Sequence, residues 1–167
     1  MKLLKRIGLL LLLLAIAIQF VPVNRTNPAV DLNQDYLKVS AAPAEVARIL
    51  KASCYDCHSN EAKYPWYSYV APVSFLVQNH IQEWRSKVNF STFCNSSAHD
   101  QSEASEEIPE TIAEAEMPSW EYNLMHPEAK LSEAEKRTLI DWFNSGNNAT
   151  GQTGGDKNHH EEDDHDD

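Results

Sequence analysis

The sequence is short of cysteine, glycine and positive charge, and each shortage closes off a class of protein. Three cysteines in 167 residues are too few for a disulfide-stapled miniprotein, and an odd count leaves at least one thiol outside any pair. Five glycines and few β-branched runs argue against an all-β sandwich. Fourteen Lys and Arg face 25 Asp and Glu, for a formal net charge of −11. With no basic stripe to neutralise phosphates, nucleic acid is not an expected partner. The acidity is uneven. Residues 156–167 carry seven acids and one Lys, a net of −6, which leaves −5 for the remainder.

The N-terminus holds what the rest of the chain lacks. Lys2, Lys5 and Arg6 precede an apolar run over residues 7–23 whose centre, 9–14, is unbroken leucine. Positive residues ahead of such a run read as an export signal, with the charged end kept in the cytoplasm. Gln19, Phe20, Val21 and Pro22 stand where a small-x-small cleavage site is needed. The run is near the lower limit for spanning a bilayer. The expectation is an uncleaved anchor that holds the chain on the periplasmic side of the cytoplasmic membrane. A cleaved signal and a soluble periplasmic domain form the alternative.

Residues 24–41 are polar and broken by Pro28, as in a linker. A first helix follows, with Val46, Ile49 and Leu50 on one face and Glu45, Arg48 and Lys51 on the other; it ends near Ser53. Residues 64–72 hold two prolines and three tyrosines and read as an irregular aromatic loop. From 73 to 88 a stripe of Val73, Leu76, Val77, His80, Ile81, Trp84 and Val88 predicts the best helix in the chain. Residues 95–103 read as a loose polar loop. A weaker helix is predicted over 106–114, with Ile108 and Ile112 inward and Pro109 in its first turn. Residues 118–127 are turn-rich. Ser132 and Glu135 form a capping box ahead of Leu139, Ile140 and Phe143, and Gly146 is placed to end that helix. Residues 147–167 are too polar to order themselves.

Cys54-Tyr55-Asp56-Cys57-His58 is C-x-x-C-H, the attachment pattern of c-type haem. Cysteines three apart share one side of a single turn, where both sulfurs can form thioethers with haem vinyl groups. The adjacent His58 is then placed as proximal iron ligand. A thioredoxin-like dithiol needs a preceding strand, and none is patterned. A zinc site needs a second ligand pair, for which only Cys94 and His99 are near in sequence. One covalent haem c is therefore the expected cofactor. The second axial position has several claimants. Met117, held ahead of Pro118, offers a thioether that raises the reduction potential. His80 lies on the apolar stripe and is the alternative, as ligand or pocket residue; His126 is a further one, and the site could also be open. Trp66 and Tyr67 are expected to pack in the haem pocket, where cofactor and core merge.

These residues resemble a known group. Cys54-Tyr55-Asp56-Cys57-His58-Ser59-Asn60, Tyr64-Pro65-Trp66-Tyr67-Ser68, His80-Ile81, Asn89-Phe90-Ser91, Glu116-Met117-Pro118, the segment 126–132 and Arg25-Thr26-Asn27-Pro28 are similar to the bacterial haem-binding domain family. That family consists of short exported proteins with one C-x-x-C-H, similar to class I cytochromes c. The resemblance covers residues 25–143. It implies an all-α, class I cytochrome c-like domain around one covalent haem, with Met117 as distal ligand. Two departures stand out: Ala115 where Gly is expected, and the 95–103 loop with Cys94 at its edge.

The expected organisation is thus an anchor at 1–23, a linker at 24–41, a haem-binding domain at 42–146 and a disordered acidic tail at 147–167. The leading expectation is a monohaem electron carrier with unknown redox partners, and not an enzyme. The rival is a haem-based sensor or small haem enzyme with an open distal site. A third idea, metal handling by His159, His160 and His165, competes with a plain solvated tail.

Overall fold

A computed structural model describes residues 1–146. The described residues form eight α-helices joined by short 3-10 turns, with no strand among them, as expected for a small helical cytochrome-like fold. The acidic tail and its histidines lie outside the described residues.

The first helix, α1 (Lys2–Ala17), continues through a 3-10 turn (Ile18–Phe20) and buries none of its residues. Together they make a 19-residue apolar helix, long enough to cross a membrane. The stretch from 24 to 41, expected to be a linker, instead lies against the domain. The guanidinium of Arg25 donates to the Ser68 carbonyl at 2.8 Å, and the Asn27 amide donates to the Ala62 carbonyl at 2.7 Å. Asp35 caps the short α2 (Tyr36–Val39), whose Tyr36 is fully buried. The sequence hides this because one buried aromatic in a polar stretch carries no periodicity.

Tyr36 is the centre of the core. Its ring meets Phe90, Phe93 and Phe143 at centroid distances of 5.4, 5.1 and 5.7 Å. Its hydroxyl accepts from the Trp142 indole at 2.9 Å, which satisfies the polar end of a buried tyrosine. Around it pack Val46, Ile49 and Leu50 of α3 (Ala44–Ser53), as their spacing predicts, and Leu139 and Phe143 of α8 (Glu133–Asn144). The Ser132–Glu135 capping box is formed. Gly146 takes φ +70 just past α8, the left-handed conformation that glycine adopts without cost.

Between these lie α4 (Tyr55–His58), which packs on α5 (Val73–Lys87), then α6 (Ala98–Ala113) and α7 (Trp120–Met125). Two expectations are corrected here. Residues 95–103 are not a loose loop: α6 starts at Ala98, with Ser97 and Asp100 as its own capping box. Pro109 is therefore deep inside the helix, where it removes the N–H that would reach the Ser105 carbonyl. The inward residue of the first turns is polar. The buried Gln101 amide donates to the Phe93 and Ser96 carbonyls, a substitute for apolar contact that hydropathy patterns miss. The turn-rich stretch 118–127 likewise contains a helix, α7, capped by Ser119.

α6 ends in a Schellman motif. The Glu116 N–H reaches the Thr111 carbonyl and the Ala115 N–H reaches the Ile112 carbonyl. Ala115 occupies the position that prefers glycine, at φ +59. α2 ends the same way, with Ala41 at φ +50.

Candidate functional site

The C-x-x-C-H segment is a single helical turn at the exit of α3. The Cys54 N–H closes α3 on the Leu50 carbonyl, and the N–H groups of Cys57 and His58 both bond the Cys54 carbonyl, at 3.1 and 2.9 Å. Each residue of the turn has its own task. Tyr55 enters the core, stacked on Phe90 at 5.4 Å, with its hydroxyl 3.1 Å from both oxygens of buried Asp35. Asp56 accepts from the Tyr122 hydroxyl at 2.8 Å. Cys54 and Cys57 are free, half-buried thiols. Burial pushes Cys54 up to about 12, helped by the charge of Cys57. It pushes Cys57 up to about 11, helped by Asp56 and opposed by Arg85. Both are neutral S–H groups at neutral pH.

His58 is held at several points. Its ring Nδ1 is 3.2 Å from the Val88 carbonyl oxygen, and its own carbonyl accepts from the Phe90 N–H at 2.8 Å. Trp84 and Phe90 flank the ring at 6.1 and 6.3 Å. A carbonyl only accepts, so Nδ1 carries the proton and Nε2 keeps its lone pair. Burial lowers the pKa of His58 and holds it neutral, against the pull of the Val88 and Trp84 carbonyls. A neutral imidazole, oriented through its Nδ1, is what an iron ligand requires.

A buried polar clasp fixes the chain on either side of this turn. Ser59, Asn60 and Ser91 are almost wholly buried. The Asn60 N–H donates to the Ser91 hydroxyl at 3.0 Å, and the Asn89 amide donates to the Asn60 side-chain oxygen at 2.9 Å. Arg85 donates to the Ser59 carbonyl at 2.8 Å and to Asn27 at 3.2 Å.

The remaining candidates separate. Met117 is half-buried just beyond the Schellman turn of α6. Asn123 of α7 donates to the Pro118 carbonyl at 2.8 Å, and Tyr122 of α7 holds Asp56. α7 thus ties the loop carrying Met117 to the cysteine turn. His80, Val73 and Leu76 fall on an exposed side of α5, while Ile81 and Ser74 take the buried side. His126 is occupied at both nitrogens, by the Tyr67 hydroxyl at 2.7 Å and by Glu128 at 3.1 Å. Tyr67 points inward, close enough to Cys57 and Asp56 for their charges to add to burial in raising its pKa. Trp66 is 75% exposed. Asp56, Val88 and Tyr122 were not assigned to the site from the sequence, where Val88 was read as a stripe residue and Asp56 as a variable motif position; a motif names its reactive atoms and not the groups that orient them.

Among the described residues no three His, Cys, Asp or Glu side chains are grouped to hold a bare metal ion, so Cys94 and His99 do not complete a zinc site. A cavity of about 480 Å3 opens between α5 and α6, but charged Arg85, Lys87, Asp100, Glu103 and Glu107 line it, a poor wall for an apolar macrocycle. The cysteine turn fits haem by its donor set. It offers two free thiols on one turn and one oriented imidazole, with large exposed aromatic and aliphatic side chains on α5 and α7.

Residues 13–145 match the haem-binding domain family. The chain belongs to that family. This haem-binding domain therefore binds haem, and the matched span takes in part of α1 and reaches past the end of α8. Neither the curated proteins nor the solved structures contain a match to it.

Proposed function

We propose that this haem-binding domain is a monohaem c-type electron carrier, tethered by α1 to the outer face of the cytoplasmic membrane. The observation that carries the reading is the single turn with two free thiols and an imidazole whose Nδ1 is already taken by Val88. Cys54 Sγ and Cys57 Sγ would each add across a vinyl group, sulfur to one carbon and proton to the other, with no net oxidation or reduction. His58 Nε2 would hold the iron. Bound haem supplies a one-electron couple, and the residues around it set its potential through the axial ligands and burial.

Met117 is proposed as the second axial ligand. Its support is the Asp56–Tyr122 bond and the Asn123–Pro118 bond, which bind its loop to the cysteine turn. His80, on the exposed side of α5, has no comparable tie.

The test is expression of the full chain in a host competent for cytochrome c assembly. The expected result is haem that stays with the polypeptide after denaturation and a mass raised by one macrocycle. Haem that dissociates on denaturation would overturn covalent attachment. A low-spin, six-coordinate ferric spectrum with a thioether-to-iron charge-transfer band is expected. A five-coordinate spectrum with rapid carbon monoxide binding would instead favour the sensor or small haem enzyme.

A further inference from the structure

The segment just after α1 is zipped onto the aromatic loop. The side-chain amide of Gln19 makes two hydrogen bonds with the backbone of Ala71, donating to its carbonyl at 3.1 Å and accepting from its N–H at 3.0 Å. Arg25 donates to the Ser68 carbonyl and lies over the Tyr69 ring, 4.4 Å from its centroid. Gln19 stands at the end of the apolar helix opposite Lys2, Lys5 and Arg6. At about 1.5 Å per residue that helix is roughly as long as a bilayer core is thick. If it spans, Gln19 is at the outer interface, and Ala71 is one side chain away from it.

The 3-10 turn Trp66–Tyr69 sorts its residues by face, because positions three apart eclipse in such a turn. Tyr67 and Ser68 face the protein, bonded to His126 and to the Pro65 carbonyl. Trp66 and Tyr69 face out, 75% and 60% exposed, and Val70 follows at 48%. Phe20, next to Gln19, is 82% exposed. A run of exposed aromatics continuous with the end of a membrane helix matches the belt that Trp and Tyr form at headgroup level.

We infer that Phe20, Trp66, Tyr69 and Val70 form an interfacial patch that seats this domain on the outer leaflet of its bilayer. The occupant is lipid, because the Gln19–Ala71 and Arg25–Tyr69 contacts hold the patch at the outer end of the apolar helix. The inference rests on the anchor reading of α1. It also assigns Trp66 to the membrane side of the turn and leaves Tyr67 on the cofactor side.

The full, haem-loaded chain is placed in nanodiscs of phosphatidylethanolamine and phosphatidylglycerol. The photo-crosslinker p-benzoylphenylalanine replaces Trp66, Tyr69, Leu12 or Arg137, one at a time, and an unchanged haem spectrum confirms folding. Lipid adducts at 12, 66 and 69 and none at exposed Arg137 are expected. Adducts at 12 without adducts at 66 and 69, or cross-links at 66 and 69 to a second copy of the chain, overturn the patch and leave the anchor standing. Equal labelling at 137 also overturns it. No adduct at 12 removes the anchor reading and the patch with it.

Discussion

Nδ1 of His58 lies 3.2 Å from the carbonyl oxygen of Val88, the residue that closes α5. The imidazole is therefore aimed by the end of the helix against which its own turn packs. Because the orienting partner is a backbone carbonyl, no side-chain substitution at 88 removes it directly, and the tautomer is set by the fold.

If the haem is attached through Cys54 and Cys57, as proposed, the two thiols have separable effects. In Cys54→Ala or Cys57→Ala, one thioether remains, so haem should still survive denaturation, with the pyridine haemochrome band moved to longer wavelength. The double variant should lose all haem on denaturation. His58→Ala should keep both thioethers and lose the low-spin spectrum.

Tyr122→Phe removes a hydrogen bond to a carboxylate, and such bonds contribute about 1.5–3 kcal/mol. Partial exposure argues for the lower end of that range. A urea titration of the holo protein measures the loss. If Met117 is the distal ligand, the same variant should also weaken the thioether-to-iron band, because the loop is then tied down less firmly.

Ala115→Gly should stabilise the domain. An L-residue in the left-handed region costs about 1–2 kcal/mol, and glycine returns part of that through its floppier unfolded chain. A net gain of roughly 0.5–1 kcal/mol is expected as a rise in the urea midpoint, with the slope unchanged. Ala41→Gly should behave alike, since it occupies the same position at the end of α2.

Glu135 gives the acid side of the stability profile. The Ser132 N–H, the Ser132 hydroxyl and then Arg48 lower its pKa from the ordinary 4.5 to about 2. A carboxyl lowered on folding contributes in full above its unfolded pKa and loses that contribution as pH falls through the folded one. The support from this cap should therefore be complete above pH 4.5 and fade towards pH 2. Glu135→Gln should cost up to about 1 kcal/mol at neutral pH and progressively less as the pH falls towards 2. Salt should trim only the Arg48 part, because that arginine is largely exposed.

Much of the fold was legible because it is written in periods and caps. Val46, Ile49 and Leu50 declared α3, and Ser132 with Glu135 declared the start of α8. Besides α7, two elements were hidden for opposite reasons. The start of α6 buries Gln101 and Ala104, a polar residue and a small one, and neither registers as apolar stripe. The segment around Asp35 and Tyr36 buries deeply but briefly. The stripe of α5 was read too wide, since Val73, Leu76 and His80 belong to its exposed side. At the site, the cysteines and His58 were plain as a motif. The partners that hold them, Val88, Asp56 and Tyr122, come from elsewhere in the chain or from the motif's variable positions, and only three-dimensional packing brings them together.

Tyr55 gives the haem motif a second occupation. It sits between the two cysteines, yet its ring is stacked inside the protein and its hydroxyl is locked to Asp35. If the haem is attached at Cys54 and Cys57, as proposed, it is pinned to the interior through the residue right beside the first attachment point. That attachment would couple the porphyrin to Asp35 and the start of α2, twenty positions upstream of Tyr55. Prosthetic group and folded chain would in that case be one mechanical object.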